Sequence, residues 1–392
     1  MTRRVLAAVG VAATFMFVAL ASPPLSGQSG QAAIGAGAPD LVVTAFGGKD
    51  VSYTVPRTSW GDPDLQGVWS SDDAQFGGGG RGGRGGAGQG PPPLYLSDEE
   101  LAARQKQVAT AVARSEGEGV TGTFRSDFAR RAFPQTRIIV DPPDGAQPQP
   151  TAEARKRAAP SDRGTFGEGP FNSPEDFTLY DRCITRGVWG SIMRVIYGNG
   201  NRIVQAPGMV AISYEMIHDT RVFYTDGRPF INDSIRQYLG DSRARWDGDV
   251  LIVETTNLTD KTSIGLNGNG LRHSDRMRIV EKFKRVAEDI LQYQITIDDP
   301  VTYGRPFTAS LPLTPLDGGV LLPYDCHEGN LAIRQSLGAE RAEDAALAAD
   351  LASGIIRPRR GVQESGAGGG GGRGGRGGRG GGPAGEAGPP IE

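Results

Sequence analysis

RMRIVEKFKRVAEDILQYQITID, residues 276–298, decides the fold. Met277, Ile279, Glu281 and Phe283 alternate with Arg278, Lys282 and Lys284, and only Val280 breaks the polar row. Beyond Ala287-Glu288-Asp289 the alternation resumes, with Leu291, Tyr293, Ile295 and Ile297 set against Gln292, Gln294, Thr296 and Asp298. Successive side chains of a strand point to opposite faces. A period of two therefore predicts two long antiparallel strands joined by a turn, each with one buried and one wet side.

The same reading extends outward. NRIVQAPGMVAISYEMIHD (201–219) predicts a strand, a Pro207-Gly208 turn and a second strand whose one face carries Val210, Ile212, Tyr214, Met216 and His218. RVFYTDG (221–227) continues as a strand, and Asp247-Gly248 in SRARWDGDVLIVETTN is a two-residue hairpin signal. FTASLPLTPL (307–316) predicts a further strand. Helices are expected over 98–114, opened by a Ser97/Glu100 capping box, and over 331–352, stopped near Gly354. The expected fold class is mainly β: an antiparallel up-and-down, lipocalin-like barrel or strongly curled sheet with short peripheral helices. A two-sheet sandwich is the alternative, because alternation alone does not distinguish closure from stacking.

The ends of the chain describe its destination. Thr2-Arg3-Arg4, an apolar run from Val5 to Ala21 and then Ser22-Pro23-Pro24 match a secretory signal peptide, taken with its linker as residues 1–27. The run is short of the ~20 residues a spanning helix needs. A periplasmic or extracellular location follows, with no stable membrane insertion after cleavage. A single β-rich domain is expected over 60–360. It is interrupted by a Gly/Arg-rich insert at 77–93 and an irregular segment at 116–176, whose one strong strand is RIIVDPPDG (137–145). A Gly/Arg-rich tail (361–392) follows; both Gly/Arg tracts read as disordered. The net charge of −3 argues against nucleic acid as a partner.

Chemistry concentrates in LLPYDCHEGN (321–330). An exported chain with two cysteines most often pairs them, which predicts a Cys183–Cys326 disulfide; the alternative is a Cys326 nucleophile beside His327. The three histidines sit in polar knots, EMIHDTR, GLRHSDR and YDCHEGN, so His218, His273 and His327 are the candidate proton-transfer residues. Glu281 is the fourth candidate, as a carboxylate on an otherwise apolar face. It is either a general acid or base with a raised pKa, or half of a salt bridge to an arginine across the sheet. Tyr214, Met216 and Tyr293 are expected to line an apolar ligand cavity, with Arg186, Arg243 and Arg272 at its polar rim. No zinc-type ligand spacing, Walker loop, dinucleotide fingerprint, G-x-S-x-G elbow or EF-hand loop is present, so neither a metal nor a cofactor is expected.

The motifs DRCITRG, QAPGMVAISYEMIHD, GDSRARWDGDVLIVETTN, LRHSDRMRIVEKFKR, TIDDPVTYGRPFT and YDCHEGN together resemble a family of exported proteins of soil bacteria whose function is not established. The likeness spans about 180–345 and includes PDLQGVWS (63–70), and the family's two cysteines and histidine knots look like those here. Gly67-Val68-Trp69 also looks like the first-strand G-x-W of lipocalin-type barrels, which implies a tryptophan closing a barrel end. The long insert after Trp69 departs from that pattern. The leading expectation is a barrel that binds a small organic molecule. The alternatives are a hydrolase or lyase using histidine as general base on the same scaffold, and an envelope scaffold protein.

Overall fold

The computed structural model describes residues 34–74, 93–117, 129–157, 170–195, 197–265, 270–316 and 318–359. The expected signal peptide, most of the 77–93 insert, parts of the 116–176 segment and the 361–392 tail lie outside the described residues. Among the described residues ten strands form: β1 (Gly67–Ser70), β2 (Ile139–Asp141), β3 (Gly200–Ala206), β4 (Met209–Tyr214), β5 (Thr220–Tyr224), β6 (Asp241–Asp247), β7 (Val250–Thr256), β8 (Arg278–Ala287), β9 (Ile290–Asp298) and β10 (Phe307–Pro315). Four α-helices accompany them among the described residues: α1 (Asp98–Gly117), α2 (Ala152–Lys156), α3 (Gly187–Ile192) and α4 (Ala332–Ala352).

Nine strands close into a barrel in the order β1-β3-β4-β5-β6-β7-β8-β9-β10, with β1 pairing back onto β10. The closure is short: Trp69 opposes Pro315 and Ser70 opposes Thr314. The tenth strand, β2, pairs with β10 at Thr308 and Ala309, so β1 and β2 share one edge of that strand. The decisive stretch forms the β8–β9 hairpin, with Glu281 opposite Ile295 and Phe283 opposite Tyr293. The Asp247-Gly248 hairpin and the Pro207-Gly208 turn also form, and Ser97 and Glu100 exchange the two hydrogen bonds of a capping box.

The barrel is not wholly up-and-down. β5 and β6 run parallel and touch in register only at Tyr224 and Arg243. The 225–240 connection causes this, by carrying the chain back to the end of the barrel from which β5 started. A two-residue turn would instead have forced an antiparallel pair.

Inward-facing side chains fill the barrel as one continuous core, including Ile212, Phe223, Val253, Ile279, Phe283, Leu291, Ile295, Ile297, Phe307 and Leu311. Phe283 and Tyr293 pack with ring centroids 4.9 Å apart. Burying each such side chain stabilises by about 1.5–3 kcal/mol. Trp69 is buried near the closure; its indole N–H donates to the Leu65 carbonyl at 3.0 Å, and the Arg285 guanidinium lies over its ring.

The expectation of a wet outer side on β8 and β9 is corrected. Gln292, Gln294 and Thr296 are buried because residues 34–48 run across the outside of these strands. Val42 N–H donates to Gln294 Oε1 at 2.8 Å, and Thr44 N–H donates to Gln292 Oε1 at 3.0 Å. Lys282 Nζ donates to the Pro39 carbonyl at 2.7 Å. The β-rich unit therefore includes this strap and starts before residue 60. Cys183 and Cys326 are disulfide-bonded across 143 residues, with Cα atoms 5.6 Å apart. The bond ties the segment before α3 to the segment after β10 and removes the reading of Cys326 as a nucleophile.

Candidate functional site

Alternation along β5 places Arg221 and Phe223 inside the barrel. There Arg221 meets Glu281, whose own alternation on β8 sends it inward. Arg221 Nη2 donates to Glu281 Oε2 at 2.6 Å and Nη1 to Oε1 at 3.0 Å, a two-point pair in which Glu281 is fully buried. The guanidinium also donates to Tyr214 Oη at 3.2 Å, Thr255 Oγ1 at 2.8 Å and Ser242 Oγ at 3.2 Å. Tyr293 Oη donates to Glu281 Oε1 at 2.9 Å. Burial works against the Arg221 charge, but the Glu281 carboxylate outweighs it and raises the arginine pKa further. Burial, helped by Glu281, pushes the Tyr214 phenol up to about 12, and burial likewise raises Tyr293. At neutral pH both phenols are protonated, Tyr293 as a donor to Glu281 and Tyr214 as an acceptor from Arg221.

Two residues of this network, Arg221 and Ser242, also line a cleft at the parallel seam. Because β5 and β6 pair only at Tyr224 and Arg243, the two strands part toward Thr220 and Asp241. A cleft of about 540 Å³ opens between them, its lining including Thr185, Asp219, Arg221, Gln237, Tyr238 and Ser242. Gly240 is required on its wall: its φ is +67°, and an added Cβ would collide with the Thr256 carbonyl. The β4–β5 turn forms the other wall. Ile217 and His218 both adopt left-handed φ angles, 65° and 51°, a costly conformation for a β-branched residue, and they deliver Asp219 into the cleft. Thr185 Oγ1 donates to Asp219 Oδ2 at 2.6 Å. Burial raises the Asp219 carboxyl above its ordinary pKa, against the pull of the Thr185 hydroxyl, His218 and Arg221.

The structure distributes the residues singled out from sequence more widely than expected. His218 is exposed at the cleft's flank, beside Asp219, and His327 is exposed beyond Cys326. His273 is buried in the β7–β8 connection, where one ring nitrogen meets the Thr262 hydroxyl and Nδ1 meets the Ser274 carbonyl at 2.9 Å. Burial lowers its pKa, which holds the imidazole neutral. None of the three lines the cleft, so a histidine rim is corrected: each ring ends up in a connection set by its own turn. Glu281 is the partner of an arginine across the barrel rather than a carboxylate at a rim. Tyr214 and Tyr293 surround that pair, so the expected apolar cavity is replaced by packed side chains and a polar network.

Met216 packs with Val195 and Ile217 in a separate cluster, against Tyr180, Tyr197, Tyr324 and Cys326. Arg186 lies near the same three tyrosines and donates to the Met193 carbonyl at 3.3 Å, and burial brings its pKa down to about 10. Arg243 pairs with Asp241 at 2.6 Å, and Arg272 donates to the Arg157 carbonyl at 3.0 Å. Sequence reasoning missed Arg221, although Glu281 on an apolar face called for a cation and Thr220–Tyr224 alternates correctly to supply it. Among the described residues no group of three or more His, Cys, Asp or Glu side chains is placed to hold a metal ion. Comparison with known proteins finds no matching family, no similar curated protein and no similar solved structure.

Proposed function

We propose that the protein is an exported binding protein for a small organic molecule, which it holds in the cleft between β5 and β6. The cleft itself carries this reading. It has the volume of pockets that take drug-sized ligands, and its lining includes Arg221 and Ser242, both fixed by the buried network. Polar groups locked from behind are the arrangement that recognises a ligand without first ordering side chains. Binding is favoured over histidine-based hydrolysis or elimination because no imidazole lines this cleft. Export is supported by the N-terminal sequence pattern and by the disulfide, which suits an oxidising compartment. Among the described residues no helix is long and apolar enough to cross a membrane.

The test is native mass spectrometry of the protein recovered from its export compartment, beside the Val222→Trp variant. Val222 lines the cleft and is half-buried, so an indole there obstructs the cleft without entering the barrel. A small molecule that travels with the wild type and is lost from the variant is the expected result. The same molecule retained by both proteins, or nothing bound to either, overturns the proposal.

A further inference from the structure

We propose that the Cys183–Cys326 bridge is a thiol-exchange latch: an external thiolate attacks Cys326, Cys183 leaves, and the arm formed by residues 318–359 comes off the barrel. The two sulfurs are not equivalent. Cys183 is buried, at 8 % exposed, whereas Cys326 is half-buried and flanked by the exposed Asp325 and His327. Thiol–disulfide exchange depends on which sulfur an attacker reaches and on how readily the other leaves as thiolate. Access selects Cys326 as the sulfur attacked. The leaving side is prepared as well. Asn330 Nδ2 donates to Cys183 Sγ at 3.3 Å, and Asn330 Oδ1 accepts from the Ala332 N–H at 3.3 Å, which turns the amide nitrogen toward the sulfur. A hydrogen bond strengthens when its acceptor takes on charge, so this contact favours Cys183 as the thiolate.

The incoming thiolate forms a bond to Cys326 Sγ as the Cys183–Cys326 bond breaks, and the electron pair of that bond leaves on Cys183, which takes a proton from water. A second thiolate then frees Cys326 and becomes part of the partner's disulfide, so the two electrons come from a dithiol. The arm that the bridge holds carries its own ion pairs. Arg357 pairs with Glu343 and Asp350, and Arg359 with Glu340 and Asp344. Within α4 only Leu337 is buried. Ties between the arm and the rest of the chain lie at its base. Leu322 N–H donates to Glu215 Oε1 at 3.0 Å, the Tyr324 and Tyr180 hydroxyls are 3.4 Å apart, and Asn330 Nδ2 also donates to the Asp181 carbonyl at 3.3 Å. Cys183 adds backbone strain at the same place, with a left-handed φ of 57°. Cutting the bridge leaves an internally stapled arm on a few polar contacts.

The experiment is a timed exposure of the oxidised full-length chain to 2-mercaptoethanol without denaturant, quenched by alkylation and read by peptide mass mapping. The 2-mercaptoethanol adduct is expected on Cys326 and the alkyl group on Cys183, roughly tenfold or more over the reverse order, the scale of one hydrogen bond to a charged group. With dithiothreitol, hydrogen exchange is expected to speed across residues 318–352 while the β8–β9 amides keep their protection. Asn330→Asp keeps the oxygen that accepts from Ala332 but sets a carboxylate beside Cys183, and is expected to slow the attack roughly tenfold or more. If Asn330 served only to pack the arm, the same variant would loosen the arm and speed the attack. An adduct on Cys183 or shared evenly, attack only when the β8–β9 amides exchange too, an arm as protected after reduction as before, or an Asn330→Asp rate unchanged or raised overturns the proposal.

Discussion

Arg221 and Glu281 are the two residues on which the barrel interior turns. Two charges taken out of water are tolerated because each is hydrogen-bonded on several sides: the carboxylate by Arg221 and Tyr293, the guanidinium by Tyr214, Ser242 and Thr255 as well. Removing one partner leaves the other buried and unmatched. Glu281→Gln or Arg221→Met alone is expected to destabilise by about 3–5 kcal/mol, and the double variant Arg221→Met/Glu281→Leu to regain most of that, as read from urea unfolding midpoints. A single variant as stable as wild type would mean that water or another group already satisfies the survivor. Glu281 was legible in the sequence as an anomaly, because it breaks an apolar row. Arg221 was not, because β5 is five residues long and its partner lies 60 positions away, a distance that periodicity does not span.

The strap at 34–48 shows where alternation misleads. A row of glutamines and threonines on one side of a strand reads as wet, and the strap makes it a dry polar seam. Gln292 holds the strap from both ends of its amide. Its oxygen accepts from Thr44 and Ala45, and its nitrogen donates to Thr44 Oγ1 and Ser310 Oγ. Gln292→Ala is expected to cost about 1–3 kcal/mol in urea unfolding, because it strands buried backbone amides. It is also expected to speed hydrogen exchange at Thr44 and Ala45. A loss below about 0.5 kcal/mol, the ordinary cost of a change on an exposed face, would show that the strap does not depend on this residue. The β8–β9 and β6–β7 hairpins were legible because their turns and alternation agree. The direction of β6 was not, since the 225–240 connection carries no periodic signal that says where it delivers the chain.

Closure of the barrel rests on few contacts across distant sequence. The β1–β10 pairing is two residue pairs, and the Cys183–Cys326 bond fastens the segments that flank the cluster of Tyr180, Tyr197 and Tyr324. In the chain-entropy account a bridge over a loop of this length stabilises by up to about 5 kcal/mol, by restricting the unfolded chain. Reduction is therefore expected to lower the thermal midpoint of the wild type markedly, while a Cys183→Ala/Cys326→Ala variant melts at one low temperature with or without reductant. Equal midpoints for oxidised and reduced wild type would mean that packing alone closes this region. The disulfide was legible from two cysteines and an export pattern. Barrel against sandwich was not, because alternation is the same in both and only the pairing of Trp69 and Ser70 with Pro315 and Thr314 decides.

Nine is an odd number. A ring of strands can alternate direction all the way round only when their count is even. With nine, one neighbouring pair must run the same way, and that fault can be relocated but never eliminated. In this chain parity has put the fault between Thr220 and Asp241, where a gap stays open. A tenth member inserted into the ring there would heal the mismatch and seal the gap, so strand arithmetic alone separates an open vessel from a shut one.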